Sequence, residues 1–344
     1  MTANCYDARC RGLASNKVMT AIEITSFGDA RVLKPIERGK PEPGPGELVI
    51  RVKAAGVARA DVMQRQGKYP PPPGTPDIPG LDVAGRVDSI GENVRRFKPG
   101  DRVCAILAGG GYAEFCAVPE AQVLPIPEGW NEIEAATLPE NLFTVYDNLI
   151  TRAGLKAGET ALIHGGSSGI GSMALMLARA WGATSIATAG SQQKCDACLQ
   201  FGAQHAINYR ETDFVAEVKE LTGGRGVNVV LDLVGGPYLA RNIEALASEG
   251  RITMVATQGG RTAELDIGKM MMKRARLMGS TMRVRTPEQK GEVAARLKRE
   301  VWPLLPVKKS IRPVIDSTFP LTEAWRAHER IESGEHIGKI VLVV

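Results

Sequence analysis

The sequence has few residues that could build a metal centre and no hydrophobic run that could cross a membrane. Only 4 of its 344 residues are histidine, and none lies at ligand spacing from a cysteine or a carboxylate, so no metal is expected. No stretch approaches the roughly 18 consecutive apolar residues of a transmembrane helix. Residues 1–18 also lack the apolar core of a secretory signal. A metal-free protein that does not enter a membrane is therefore predicted.

A strong excess of one charge is missing as well, since 43 lysines and arginines stand against 38 acidic residues. The densest basic segment, residues 269–285, mixes its cations with Met and Leu, which favours a strand with solvated flanks over a nucleic-acid surface. Cys195 and Cys198 fall inside a predicted helix, where two half-buried thiols are favoured over a redox pair. The six cysteines of the chain are typical of a protein of the reduced cytoplasm.

The most informative segment is a strand, a glycine-rich turn, a helix and a second strand between Thr160 and Thr188. Gly166, Gly169 and Gly171 permit a tight turn, close approach of a pyrophosphate to the backbone, and tight packing of the helix on the sheet. Ile170 begins the apolar face of the helix, whose N-terminus carries free N–H groups and a partial positive charge. The order of these elements predicts a dinucleotide site, with a glycine turn that binds no ligand as the alternative.

The end of the second strand selects the dinucleotide. An NAD site carries an acidic residue about 20 residues after the glycines, where it holds the ribose 2′-hydroxyl, but no acid occurs here before Asp196. Gly190 leaves room for a 2′-phosphate, Ser191 can donate a hydrogen bond to it, and Lys194 can neutralise part of its charge. The sequence therefore predicts NADPH, and a solvated surface lysine is the alternative for Lys194.

Two kinds of pattern divide the chain. Short β segments separated by Gly and Pro turns run from Met19 to about Ile126. From about Phe143 onward, helices and strands alternate, which implies right-handed crossovers and a parallel sheet. The predicted fold class is α/β, with a β-rich domain and a doubly wound parallel-sheet domain.

Several stretches together carry a family resemblance. They are ADVMQRQGKYPPPPG, IPGLDVAGRV, GDRV, GGGYAEF, HGGSSGIG, TAGSQQK, INYR and HIGKIVL. With them the chain resembles the zinc-independent medium-chain dehydrogenase/reductases, specifically the NADPH:quinone oxidoreductases related to zeta-crystallin. The resemblance implies a GroES-like catalytic domain at residues 19–142, a Rossmann domain at 143–278, and a return to the catalytic domain at 279–344. Residues 1–18 are expected to be a disordered extension.

The resemblance also implies further cofactor contacts and a quaternary structure. It puts Tyr209 beside the 2′-phosphate, Thr144 near the nicotinamide ribose, and Gly235 and Gly259 along the cofactor. On the residues alone, Tyr209 is equally well an interface aromatic, and Thr144 a helix cap. Related enzymes pair a sheet edge across a dimer, which makes the strand near residues 278–284 the expected contact of a homodimer.

Tyr69 is the candidate catalytic acid. It lies between Gly67 and a run of four prolines that can hold its loop in an extended conformation. Related enoyl-thioester reductases carry a tyrosine in a similar Gly-x-Tyr loop, and a phenol stays protonated at neutral pH. A pocket-lining aromatic is the alternative. Quinone oxidoreductases usually carry Asn where this chain has Ala58, which weakens the assignment of quinone as the acceptor.

The leading functional prediction is metal-free hydride transfer from NADPH to quinones. Reduction of the C=C bond of an enal, enone or enoyl thioester is the alternative within enzymes. A structural or RNA-binding protein that holds NADPH is the alternative of another class, although nucleic acid is the less favoured partner.

Overall fold

The computed structural model describes residues 18–306 and 310–344, so the extension predicted for residues 1–18 lies outside the described residues apart from Val18. The strands are β1 (Val18–Ile24), β2 (Leu33–Gly39), β3 (Glu47–Val57), β4 (Asp82–Ile90), β5 (Arg102–Ile106), β6 (Phe115–Pro119), β7 (Val123–Pro125), β8 (Thr160–Ile163), β9 (Thr184–Ala189), β10 (His205–Asn208), β11 (Val227–Asp232), β12 (Leu246–Met254), β13 (Arg276–Gly279), β14 (Ile315–Pro320) and β15 (Lys339–Val343).

The α-helices are α1 (Arg59–Arg65), α2 (Glu132–Ala135), α3 (Pro139–Val145), α4 (Gly169–Ala180), α5 (Gln192–Phe201), α6 (Phe214–Leu221), α7 (Tyr238–Ala245), α8 (Ile267–Met272), α9 (Pro287–Glu300) and α10 (Ala324–Glu332). A π-helical segment, Tyr146–Arg152, continues α3. No helix in the described part of the chain is long and apolar enough to cross a membrane.

One sheet is built from both ends of the chain. Its strand order is β14-β15-β3-β4-β5-β7, with β6 also paired to β3, and β1 and β2 form a separate antiparallel pair. The C-terminal strand β15 runs antiparallel to β3, so the last residues return to the first domain. The alternating apolar residues of β3 and β4 are buried in its core, among them Leu48, Ile50, Val83 and Val87.

The second sheet is parallel, with the order β10-β9-β8-β11-β12-β13. The order reverses between β8 and β11, and ligands of such sheets bind at that point, outside the carboxyl ends of the strands. The predicted pairing of a β-rich domain with a doubly wound parallel sheet is thus confirmed. Its domain boundaries at residues 142 and 278 stay predictions.

The basic segment near the end of this sheet differs from its prediction. The edge strand β13 ends at Gly279, and residues 282–285 form a turn instead of continuing the strand to Val284. Arg283 is only 4% exposed, so this flank is not solvated as predicted. The reason is tertiary, because the Arg283 guanidinium donates hydrogen bonds to the backbone carbonyls of Ala108 and Tyr69, which are distant in sequence.

The cysteine pair of α5 agrees with the sequence interpretation. Cys195 and Cys198 are buried and free. Burial raises the pKa of both thiols, that of Cys198 to about 12, which keeps them protonated at neutral pH. Protonated, buried thiols are poor nucleophiles, so a packing role fits better than a redox role.

Candidate active site

The glycine-rich loop leaves β8 at the carboxyl edge of the parallel sheet, beside the point where the strand order reverses. A methyl group on Gly171 would lie 2.1 Å from the carbonyl oxygen of Gly165, and Gly165 itself has a φ of +62°, a conformation that favours glycine. Ser168 caps α4 by accepting a hydrogen bond from the N–H of Gly171 at 3.0 Å. The loop therefore approaches the helix N-terminus as closely as a phosphate-binding turn requires.

The other predicted loop residues make contacts on both sides of this turn. A Cβ on Gly166 would lie 2.8 Å from the Cys198 sulfur, which shows why α5 can pack against the loop. A Cβ on Gly169 would lie 3.3 Å from the Lys339 side chain, so this residue faces the first domain. Ile170 is partly buried in the first turn of α4.

Gly235 and Gly259 meet at the same edge of the sheet. The Gly235 N–H donates to the Asp232 carboxylate at 2.9 Å, just after β11, and the Gly259 N–H donates to the Val234 carbonyl at 2.8 Å. Both glycines thus lie in loops that follow carboxyl ends of strands.

The predicted 2′-phosphate residues lie together at the ends of β9 and β10. A Cβ on Gly190 would lie 2.9 Å from the Tyr209 hydroxyl oxygen, so the two residues are in direct contact. Ser191 caps α5, accepting a hydrogen bond from the Lys194 N–H at 3.4 Å. Tyr209 is 40% exposed, so its ring forms part of an open surface.

A second cation, Arg210, joins Lys194 in this pocket. Its Nε lies 3.4 Å from where a Cβ of Gly190 would be. Lys194 donates a hydrogen bond to the Gly334 carbonyl, and its pKa is lowered by burial first and by Arg210 and Arg330 next. Two cations that destabilise each other favour a bound anion. Arg210 was not predicted from the sequence, although it directly follows Tyr209 at the strand end.

Thr144 is not the helix cap that was the alternative for it, and His164 is a packed residue. Thr144 lies inside α3, not at its start, so it is not a helix cap; its carbonyl accepts a hydrogen bond from Asn148 at 2.9 Å. His164 is buried between Thr188 at 2.9 Å and Asn242 at 2.8 Å. Burial lowers its pKa, so it is a packed residue that is neutral at pH 7.

Tyr69 lies beside Arg283, on the loop that carries the prolines. The Arg283 guanidinium is 5.1 Å from its ring centroid and donates to its backbone carbonyl at 3.1 Å. Burial raises the pKa of the phenol, while Arg283 and a hydrogen bond with Thr281 oppose the rise. The phenol is therefore protonated at neutral pH.

A buried ionic cluster lies where the first domain meets the glycine loop. The Lys339 ammonium is 2.7 Å from the Asp82 carboxylate and 3.2 Å from that of Glu140. The side chains of Lys339 and Asp82 are 4% and 0% exposed. Although burial alone lowers it, the two carboxylates raise the pKa of Lys339, which stays charged. The same segment is tied to the loop by the Gly338 N–H, which donates to the Ser167 carbonyl at 2.8 Å.

Two family models match the chain. Residues 44–128 match the alcohol dehydrogenase GroES-like domain, and residues 169–299 match the zinc-binding dehydrogenase model. The first match confirms that the β-rich domain is GroES-like. Residues 18–306 and 310–344 contain no group of three or more His, Cys, Asp or Glu side chains that could hold a metal ion.

Known proteins are similar over nearly the whole chain. The quinone oxidoreductase of Homo sapiens is 33% identical over 334 residues, covering 95% of this chain and 98% of the relative. The synaptic vesicle membrane protein VAT-1 homolog of Rattus norvegicus is 32% identical and covers 94% and 84%. The crystal structure of Escherichia coli quinone oxidoreductase in complex with NADPH is 30% identical, with a TM-score of 0.84 and coverage of 94% and 100%.

Proposed function

Because the chain belongs to the quinone oxidoreductase-like medium-chain dehydrogenase/reductases, we propose that it is an NADPH:quinone oxidoreductase that works without a metal. The observation that carries the proposal is the cationic pocket of Lys194 and Arg210 beside Tyr209, at the strand end where NAD enzymes carry an acid. A pocket of this charge fits the 2′-phosphate that distinguishes NADPH from NADH.

The described residues fit the whole length of the cofactor. The loop has no room for side chains at Gly166 and Gly171 and little at Gly169, and it would hold the pyrophosphate at the N-terminus of α4. Ile170 would pack beside the nicotinamide half, with Thr144 at its ribose, and Gly235 and Gly259 would line the same edge. When bound, NADPH supplies a hydride to the acceptor; the protein contributes orientation and charge.

On the acceptor side, Tyr69 acts as the proton donor. Its phenol is protonated at neutral pH because burial raises its pKa, so it can donate to an acceptor oxygen that becomes negative during the reaction. The tyrosine O–H bond breaks, an acceptor O–H bond forms, and solvent later returns a proton to the phenolate.

The name of one matching family model includes zinc, but the residues here do not fit that ion. Ala58 and Leu81 have no donor atoms at positions where metal-dependent relatives carry Cys and His. Asp82 and Glu140, the carboxylates nearby, already neutralise the Lys339 ammonium. A divalent cation beside a buried ammonium would be strongly repelled.

The proposed function is tested by following NADPH oxidation with ortho- and para-quinones, with enones and with an enoyl-CoA. We expect turnover of quinones, preference for NADPH over NADH, and no loss of activity after incubation with a strong chelator. Absence of turnover with every quinone would refute the proposal. A chelator-sensitive reaction that zinc restores would refute its metal-free part.

Replacing Tyr69 with phenylalanine tests the proton donor. The variant keeps the ring beside Arg283 but loses the acidic proton, and general acids contribute about 10²- to 10⁴-fold. We expect kcat to fall at least tenfold while the Kd for NADPH stays the same. The neighbouring Lys68→Ala variant, an exposed position in the same loop, serves as the control. Unchanged kcat with every acceptor would remove the role.

Reduction of an activated C=C bond is the second candidate. It is favoured by Ala58, which is 5% exposed and offers a methyl group where quinone oxidoreductases usually carry an amide. A more apolar acceptor pocket suits an enone or an enoyl thioester. In the same assay, this candidate predicts turnover of enones without turnover of quinones. Tight NADPH binding with no turnover of any acceptor would instead favour a structural or RNA-binding role.

The edge strand β13 supports a homodimer. Within the described residues it pairs on one side only, with β12, and Leu277 is 36% and Val284 65% exposed. An uncovered apolar edge strand invites pairing with a second copy. We expect a dimer by sedimentation analysis, which Leu277→Lys shifts toward the monomer and the exposed Lys219→Glu does not. A wild-type monomer at all concentrations would contradict this.

The buried free thiols suit a cytoplasmic protein.

A further inference from the structure

We propose that Arg283 is a positioning residue that acts through Tyr69, holding its loop against the turn after β13 and stabilising the phenolate that forms when the proton is given away. The inference rests on the proposed function, since it assigns partners to the proton donor of that reaction. It concerns Arg283, in the segment that follows the edge strand β13, and a loop of the first domain.

Arg283 joins the turn after β13 to this loop and its neighbours. Its Nε donates to the Ala108 carbonyl at 2.7 Å, one Nη to the Tyr69 carbonyl at 3.1 Å, and the other to Gln64 Oε1 at 2.5 Å. All three acceptors belong to the first domain. The guanidinium therefore fixes where the Tyr69 backbone lies, and its position 5.1 Å from the ring centroid brings its charge to the side chain as well.

The charge of Arg283 has no direct partner. Its three acceptors are neutral, and no carboxylate within the described residues lies within salt-bridge distance of it. A buried cation without an anion is unfavourable. Arg285, on the same turn, differs from Arg283 because it pairs with Asp147. A negative charge that appears beside Arg283 during turnover would therefore be stabilised.

Phenolate formation places such a charge beside Arg283. When the Tyr69 O–H bond breaks, the electron pair stays on the phenol oxygen and the proton goes to the acceptor oxygen, which has become negative after reduction by NADPH. The guanidinium and the Thr281 hydroxyl both favour the ionised phenol. Proton donation to the acceptor is thereby easier than it would be from a buried phenol alone.

Some of the other charged groups near this site oppose ionisation of Tyr69, and others favour the charged form of Arg283. Glu140 opposes ionisation of Tyr69, and Asp61 favours the charged form of Arg283. Lys290 donates to the Arg283 carbonyl at 3.1 Å, and burial lowers its pKa to about 8. Titration of Lys290 near that pH therefore has to be separated from titration of Tyr69.

Fluorine NMR of the enzyme without cofactor separates the titration of Tyr69 from that of Lys290. The six tyrosines are replaced biosynthetically with 3-fluorotyrosine, whose phenol is more acidic, and the Tyr69 resonance is assigned by its absence in Tyr69→Phe. We expect Arg283→Met to raise the pKa of residue 69 by about one unit, a tenfold weaker acid. Thr281→Val should raise it by less, and Arg283→Lys should restore most of the shift. Arg285→Met is the matched control and leaves the titration unchanged.

The outcomes separate this inference from the proposed function. An unchanged Tyr69 titration in Arg283→Met overturns the inference; if that variant does not fold, Arg283→Gln, which also removes the charge, takes its place. Shifted titration together with a fall in kcat, at unchanged Kd for NADPH, supports it. Shifted titration in an enzyme that reduces no quinone would support the electrostatic role and refute the proposed function.

Discussion

Replacing Lys194 with alanine is expected to weaken NADPH binding at least tenfold, about 1.4 kcal/mol, while NADH binding changes little. The reason is the charge that the 2′-phosphate adds. Burial, and next the charge of Arg210, lowers the pKa of Lys194. A phosphate relieves the repulsion between the two cations and forms charge-assisted hydrogen bonds, whereas the 2′-hydroxyl of NADH does neither.

The measurement is the Kd of each cofactor by fluorescence titration, for the wild type and the variant. Lys273→Ala is a matched control, because Lys273 is also partly buried with a lowered pKa and donates to a backbone carbonyl, that of Glu244, at 2.8 Å. It lies beside the start of β12, away from the carboxyl edge of the sheet. An equal loss of NADPH and NADH binding in Lys194→Ala would refute the 2′-phosphate assignment.

The fold was predictable because its signals are local and repeated. The strand, glycine turn and helix around Gly166 to Gly171 were predicted correctly, because the signal for each lies in its own residues and the residues on either side. The change from short β segments to alternating helices and strands had the same local character. Strand ends were less predictable. The prediction extended the edge strand to Val284, but β13 ends at Gly279 because Arg283 is held by distant carbonyls.

The site was predictable where its residues share one strand end and not where they come from separate elements. Gly190, Ser191 and Lys194 are consecutive turn residues, so their chemistry could be read together. Nothing in the local sequence relates Arg283 to Tyr69, or Lys339 to Asp82. These partners meet only because β15 and the turn after β13 return to the first domain. That return is a feature of the tertiary structure, and only the family resemblance predicted it.

Replacing Lys339 with methionine is expected to lower the free energy of unfolding by about 3–5 kcal/mol, the usual cost of breaking a buried ion pair. The change leaves Asp82, which is 0% exposed, and Glu140 without a cation. Burial already raises the pKa of Asp82, to about 7, and loss of the ammonium raises it further. The folded variant therefore binds a proton more tightly than the unfolded chain, and its stability falls as pH rises from about 4 through that raised pKa.

Urea unfolding across this pH range measures the effect, with Lys219→Met as the control, since Lys219 and its partner Glu244 are 46% and 47% exposed and such pairs contribute little. The double variant Lys339→Met/Asp82→Leu decides the cause. If the uncompensated carboxylate is responsible, removing it restores most of the stability and flattens the pH dependence. If the double variant is as unstable as Lys339→Met at every pH, the loss comes from packing around the lysine side chain, and the electrostatic explanation of this cluster is wrong.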